Sequence, residues 1–300
     1  MALSFEKYKP EIDKYLKSLQ RVKDVTSYDV YEALWELQHA TFRKFTNPRA
    51  YGLYLVNEGF GQLFLDLWNG GLSQYVKNKD RGSDGYRNVE MLLSLLWNTT
   101  DKSQKVGDDL VAHGCVLILL EVIKNENDLD DKFMGGGILG TLNNIIHMST
   151  KHRSVYREAN AIDILQPFLK SKNVQIQTKA LMAMAYVVND KEREILAISK
   201  AGLKQLLVLL KQGVDNEEHK GTIPGTCNTF SVLETLDAIN QLAINDATKA
   251  EVARQGAIPA IVRMLEDDFS SDEQQVAVSA MWNLSFVESI RKSLLVTVPG

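Results

Sequence analysis

The feature that most constrains the fold of this chain is a five-fold internal repeat. A small or turn-forming residue precedes an apolar segment at five junctions: Gly59, Gly114, Asn160, Ala201 and Gly256. Positions +2, +5, +6 and +9 from each junction are mostly apolar, which is the spacing of one stripe on an α-helix. Successive junctions are 55, 46, 41 and 55 residues apart, a range typical of helical repeats that stack on one another.

A second stripe lies in the last helix of each repeat, where superposing the repeats aligns five mainly polar residues. We call them the polar column: Asn98, Asn144, Tyr186, Gln241 and Asn283. The residues two before and one after each column position are mainly apolar, and those three before are mostly small. A polar residue among them either faces away from the core or needs a hydrogen-bond partner.

The repeats divide the chain into three segments. Residues 1–49 form an N-terminal helical cap or degenerate half-repeat with a predicted helix over 28–44, residues 50–288 form the repeat array, and residues 289–300 begin a further, truncated repeat. The column lies 15 or 16 residues before the next junction. Counting back from Gly59 therefore adds Arg43 to the polar column.

Three helices are predicted in each repeat: a short first helix before the junction, a middle helix after it and a long third helix. The predicted first helices span 49–57, 103–113, 152–159, 192–200 and 247–255. Two connections before third helices, 69–88 and 211–229, are long and polar. Such insertions can carry function, but we favour a solvated, mobile loop for each.

Composition excludes several classes of partner and location. The net charge of −4 and the pI near 5.8 provide no basic footprint, so neither nucleic acid nor an anionic membrane is an expected partner. The two cysteines, Cys115 and Cys227, show no pairing pattern, which is typical of the cytosol. There is no secretory signal at the N-terminus and no apolar run long enough to span a membrane. We predict a cytoplasmic protein.

The motifs that could indicate catalysis, a cofactor or a metal lack the neighbouring sequence features that such sites require. The glycine run from Gly135 to Gly140 matches G-x-G-x-x-G, but mostly polar residues precede it where a dinucleotide site needs an apolar strand. His147 and His152 are close in sequence without a third ligand nearby, so a metal site is not expected. We predict no enzyme activity, no cofactor and no metal.

The last repeat resembles the armadillo repeat. Residues 254–285, RQGAIPAIVRMLEDDFSSDEQQVAVSAMWNLS, contain its Gly-Ala-Ile-Pro junction, its Leu-ending middle helix and its Trp-Asn-Leu-Ser third-helix ending. The resemblance extends over roughly residues 50–288, and the chain also looks like divergent armadillo arrays of invertebrate multidomain signalling proteins. It implies an all-α fold: a right-handed, armadillo-type superhelical solenoid of about five three-helix repeats.

In armadillo proteins the third helices line a groove, and the repeat asparagine often bonds the backbone of an extended peptide. The resemblance implies this role for Asn98, Asn144 and Asn283, whereas Tyr186 and Gln241 depart from asparagine in the same column. The alternative is that these side chains brace neighbouring turns. The implied function is a non-catalytic scaffold that binds an extended peptide or a partner protein. Alternatives are a regulatory or autoinhibitory segment of a larger signalling protein, such as one with a TIR domain, and a small-molecule sensor.

Two subclasses of armadillo protein do not fit. Importin-α-like readers of nuclear signals carry a tryptophan four residues before the asparagine, but here those positions hold other residues: Ser94, Gly140, Met182, Asp237 and Ser279. Trp97 and Trp282 instead directly precede their column asparagines in the sequence, and we interpret these two tryptophans as packing residues. No Lys/Arg column accompanies the polar column, so the basic groove of β-catenin-type scaffolds is not expected either.

The sequence also predicts that the repeats continue past Gly300. The next junction would fall at position 298 or 299, and Met281, Leu284 and Phe286 would lack cover, although a terminal repeat needs a polar outer face. We expect a longer native chain with further repeats or an effector domain. Extending the chain should raise its melting temperature, and a stop codon after Gly300 together with a well-behaved monomer would contradict this expectation.

Overall fold

The computed structural model is built almost entirely of α-helices, which confirms the predicted all-α class. It describes residues 4–43, 45, 47, 49–125, 131, 134–189, 191–192, 200–226, 228–243 and 245–297. The chain forms two compact units, Met1–Ile164 and Leu165–Gly300.

The first unit consists of helices that follow one another with short connections. In chain order they are α1 (Phe5–Gln20), α2 (Tyr28–Ala40), α3 (Ala50–Asn57), α4 (Phe60–Leu67), α5 (Ser73–Asn78), α6 (Asp84–Lys102), α7 (Gln104–Ala112), α8 (Cys115–Lys124), α9 (Met134–Met148), α10 (Arg153–Glu158) and α11 (Ala161–Leu165). A π-helical turn, Trp68–Leu72, precedes α5, and a 3-10 turn, Thr150–His152, precedes α10.

The second unit adds one small hairpin to the same kind of helices. After a 3-10 turn, Gln166–Lys170, come α12 (Val174–Val187), α13 (Lys200–Val214), β1 (Lys220–Thr222), β2 (Thr229–Ser231), α14 (Val232–Leu242), α15 (Asp246–Arg254), α16 (Ala257–Arg263), α17 (Ser271–Ser285) and α18 (Glu288–Thr297). The two strands are antiparallel, with Gly221 opposite Phe230.

The junctions set the angle between the first and middle helices. Gly59, Gly114 and Gly256 have φ values of 79°, 74° and 79°, and Asn160 has a φ of 54°. This left-handed conformation ends a helix at low cost only with glycine or asparagine. The fifth junction differs: Ala201 lies inside α13, because a side chain disfavours the left-handed region. Most of the predicted first helix 192–200 falls outside the described residues.

The predicted third helices are α6, α9, α12, α14 and α17. Their core stripe is confirmed, since the residues two before the column are buried in four of them and half-buried in α17: Leu96, Leu142, Met184, Ile239 and Met281. Consecutive third helices pack side by side, α6 on α9 in the first unit and α14 on α17 in the second. The helix of the N-terminal segment, α2, packs on α6 in the same way.

The N-terminal segment contains one more helix than the sequence pattern indicates. The helix predicted over 28–44 begins at Tyr28 but ends at Ala40. Helix α1, with Pro10 in its interior, packs against α2 and buries Ile12, Leu16 and Leu19.

The two long connections are ordered structures and not the solvated loops we favoured. Residues 69–88 contain the buried Leu72 and helix α5. Residues 211–229 contain most of the hairpin, which packs on α13. A Cβ atom added to Gly221 would lie 2.1 Å from the carbonyl oxygen of Leu209, so only glycine fits there. Residues 211–229 are mostly polar, but a few apolar side chains, among them the buried Ile223, pack against the rest of the unit.

The burial of the core stripe, the residues two before the polar column, can be tested with a matched pair of leucines. Leu96 is fully buried in α6, whereas Leu117 on α8 is half-exposed. Leu96→Ala should lower the free energy of unfolding by about 2–5 kcal/mol, because it removes buried apolar area and leaves a cavity. Leu117→Ala should cost about 0.5 kcal/mol or less. Equal losses in chemical denaturation would contradict the assigned packing.

Candidate functional site

Two residues of the polar column join neighbouring third helices. Asn144 on α9 donates its Nδ2 to the carbonyl oxygen of Trp97 at 3.1 Å and to Thr100 Oγ1 at 3.4 Å, both near the end of α6. Asn283 on α17 donates to the carbonyl oxygens of Asn240 at 3.3 Å and Ala243 at 2.8 Å, near the end of α14. The two contacts are equivalent in register. Each amide braces the carboxyl end of the preceding third helix.

The first two members of the column have different surroundings. Asn98 is half-buried and donates to the carbonyl oxygen of Ser94 in its own helix at 2.8 Å. Arg43 is held by α1: its guanidinium lies 4.4 Å from the ring centre of Tyr8 and 3.9 Å from Glu11 Oε1. The structure therefore places Arg43 beside the N-terminal helix.

The column of the second unit begins with a buried tyrosine. Tyr186 on α12 donates its hydroxyl to Asp237 Oδ2 on α14 at 2.9 Å. Burial, and secondarily the charge of Asp237, raises the pKa of Tyr186 well above its ordinary value, so the hydroxyl keeps its proton. Gln241 is half-buried on α14. Tyr186 thus engages a carboxylate that lies four residues before the column on α14.

An exposed aromatic surface lies on α2 and the turn that follows it. Trp35 is 37% exposed and Phe42 is 60% exposed. Between them, the His39 ring stacks on Trp35 with ring centres 3.6 Å apart and meets Phe42 edge-on at 6.3 Å. The His39 Nδ1 lies 2.8 Å from the Trp35 carbonyl oxygen. Because a carbonyl oxygen only accepts, Nδ1 carries the proton of this hydrogen bond, which holds the orientation of the ring. We call Trp35, His39 and Phe42 the aromatic face.

Helix α6 continues this surface. Gln38 on α2 donates to Ser94 Oγ on α6 at 2.6 Å, so the two helices are in direct contact. Glu90, Ser94, Trp97 and Asn98 on α6 are all half-buried.

Helix α2 carries negative charge. Helix α2 contains three carboxylates, Asp29, Glu32 and Glu36, and no lysine or arginine. On α6, Arg87 is paired with Asp84 at 3.1 Å. Burial, followed by the charge of Asp131, raises the pKa of Glu90 above its ordinary value. The charges of Arg87 and Arg81 partly oppose this rise.

Sequence reasoning missed the aromatic face and misplaced one tryptophan. We interpreted Trp282 as a packing residue, but its side chain is 69% exposed on α17, so that interpretation is wrong. The spacing of Trp35, His39 and Phe42 at i, i+4 and i+7 is a detectable signal of one helix face. It does not by itself distinguish an exposed face from a buried one.

The other motifs lie in structural surroundings. The glycines from Gly135 to Gly140 fall inside α9 and not in a strand-to-helix turn. Burial raises the pKa of the Cys115 thiol, whereas Cys227 lies outside the described residues. Over the described part of the chain, no group of side chains is arranged to hold a metal ion. No helix in that part is both long and apolar enough to cross a membrane.

Comparisons with known proteins agree with this architecture. The family model of the armadillo/beta-catenin-like repeat matches residues 245–286. A designed armadillo repeat protein has a TM-score of 0.51 and 16% identity, over 90% of this chain and 98% of that chain. An engineered protein from the Northeast Structural Genomics Consortium has a TM-score of 0.51 and 18% identity, over 92% and 98%. No curated protein sequence matches. At these identities the structural likeness concerns the fold.

The bracing contacts distinguish two asparagines of the column. Asn144→Ala should lower the free energy of unfolding by about 1–3 kcal/mol, because it removes a buried hydrogen bond between α9 and α6. Asn98→Ala removes a contact within one helix and should cost about 0.5 kcal/mol or less. Thermal and urea denaturation measure both variants. An Asn144→Ala protein as stable as the Asn98→Ala protein would rule out the bracing role.

Proposed function

Because the chain is an armadillo-type repeat protein, we propose that it is a non-catalytic scaffold and that α2 and α6 bind an extended segment of a partner protein. The observation that carries this proposal is the aromatic face. Trp35 and Phe42 remain exposed on α2 and the turn after it, and α2 packs on α6 in the way one third helix packs on the next. Exposed tryptophan at such a surface is typical of binding hot spots.

The polar groups suit a peptide backbone. Asn98 uses its amide nitrogen within its own helix, and an amide oxygen can accept a backbone N–H from a ligand. Ser94, whose hydroxyl accepts from Gln38, adds a polar group one helical turn before Asn98. An extended segment that crosses α2 and α6 would meet aromatic rings first and hydrogen-bonding groups next.

The charges favour a segment rich in lysine or arginine. The carboxylates of α2 lie without lysine or arginine on the same helix, and Glu90 lies on the neighbouring helix α6. A cationic side chain can pack its aliphatic stem on an aromatic ring and direct its charge to a carboxylate. The proposal needs no cofactor and no nucleic acid, and it includes a cytoplasmic location, supported by the sparse use of cysteine.

The proposal is tested by selecting ligands and then removing the aromatic face. A randomised dodecapeptide library panned on the full chain should yield sequences enriched in lysine and arginine. The double variant Trp35→Ala, Phe42→Ala should bind the selected peptides at least about ten-fold more weakly, because hot-spot aromatics carry much of an interface energy.

Leu117→Ala is the matched control, since it shortens an exposed apolar side chain on a middle helix. It should bind like the unaltered protein in fluorescence anisotropy. Equal binding by the double variant would refute the location of the site. Enrichment of acidic peptides would refute the proposed charge class.

A further inference from the structure

A cavity lies between the long connection 69–88 and α8, the middle helix of the following repeat. Its volume is about 690 Å³, and small-molecule sites in proteins typically enclose roughly 300–1,000 Å³. Trp68 and Val76 line one wall, and Leu117 and Ile118 line the other. We call this space the α5–α8 cavity. It is large enough for a small ligand, and the insertion in one repeat forms one of its walls.

The apolar lining of the cavity includes a residue that departs from the repeat pattern. Leu117 stands three residues after its junction and is 50% exposed. The equivalent residues after the other four junctions are all exposed, and each is polar or proline: Gln62, Asp163, Lys204 and Pro259. Repeats therefore stack without an apolar side chain at this position. Only the repeat that faces the connection 69–88 has a leucine there, which indicates a use other than stacking.

A distorted turn places the opposite wall. The π-helical turn Trp68–Leu72 contains Gly71, whose φ of 139° is a conformation that glycine adopts readily. Single π-helical turns occur frequently at functional sites. This turn buries Trp68 and Leu72 and leads into α5, where Val76 lines the cavity. The wall of the cavity is thus anchored to the core of the first unit.

The rim of the cavity carries an excess of positive charge. Lys77 and Lys79 are exposed at the end of α5 and line the cavity. On the other side, the carboxylate of Glu121 lies 3.3 Å from Lys124 Nζ and accepts from Asn125 Nδ2 at 2.9 Å. These hydrogen bonds, that of Asn125 first, lower the pKa of Glu121. Because Lys124 balances the charge of Glu121, the two lysines of α5 favour an anion.

We propose that the α5–α8 cavity binds a small amphiphile with an apolar body and one anionic group, a carboxylate or a sulfonate. The apolar body packs between Trp68 and Leu117, and the anionic group lies at the rim beside Lys77 and Lys79. The lining residues belong to the first unit and lie outside α2 and α6. The cavity is therefore independent of the peptide site proposed on those helices.

Two fluorescent probes of similar shape test the chemical class of the ligand. Anilinonaphthalene sulfonate has an aromatic body and one sulfonate, and phenyl-naphthylamine is its neutral equivalent. Titration of the full chain should show saturable binding of one sulfonate probe per molecule. The neutral probe should bind about three- to ten-fold more weakly, because each exposed charge contact contributes modestly. Absence of saturable binding overturns the proposal, and equal affinities for the two probes overturn the anionic class.

The location is tested by changing the residue that departs from the repeat pattern. Leu117→Asp introduces the residue type of the equivalent Asp163 and should weaken the sulfonate probe at least about ten-fold, because a carboxylate replaces the apolar wall and repels the anion. Pro259→Asp is the matched control, since it makes the same charge change at the equivalent position of α16, and it should bind normally. Both variants should keep the far-UV spectrum of the unaltered protein. Unchanged binding by Leu117→Asp refutes the location.

A second pair of variants separates the charged rim from the aromatic face. The double variant Lys77→Gln, Lys79→Asn should weaken the sulfonate probe about three- to ten-fold and leave the neutral probe unchanged. Asparagine suits position 79, whose φ is 51°. The double variant Trp35→Ala, Phe42→Ala should bind the sulfonate probe normally even where it loses peptide binding. Loss of the probe in that variant would place the probe on the aromatic face and overturn the proposal.

Discussion

Within each unit, the packing of one third helix on the next is the interaction on which the fold depends. A three-helix repeat has an amphipathic third helix that cannot bury its apolar side within its own repeat. In this protein the burial of Leu93 and Leu236 comes from the neighbouring repeat. Asn144 and Asn283 add hydrogen bonds at the same boundaries. Stability is therefore shared between neighbours, and a side chain at a boundary supports two repeats.

This dependence explains why surfaces that look alike in sequence differ in exposure. Leu93 and Val278 occupy equivalent positions, yet the first is fully buried and the second is mostly exposed. Their exposure differs because of the helix that packs beside each of them and not because of the residue type. A third helix with a following third helix packed on it buries its apolar side at that boundary.

Several residues of the polar column use their hydrogen-bond donors within the fold and not for ligand binding. Asn144 and Asn283 use their amide nitrogens between helices, and Tyr186 uses its hydroxyl in the same way. A donor that is engaged in the fold is costly to redirect to a ligand. In the first unit Trp35 on α2 and Phe42 in the turn after it are exposed, and no hydrogen bond of the fold has to break for either ring to meet a ligand. Recognition is therefore proposed at the aromatic face, with Asn98 as its polar neighbour.

The sequence by itself determined the helical repeat, the left-handed junctions at Gly59, Gly114, Asn160 and Gly256, and the buried stripe of the third helices. These features follow from spacing and from local backbone preference, both of which act within a few residues. Only the tertiary structure decided that residues 69–88 and 211–229 fold against helices, that Asn144 braces α6 while Asn98 bonds its own helix, and that Trp35 and Trp282 are exposed. Each of these depends on which distant segment lies alongside, and periodicity along one helix carries no information about its neighbour.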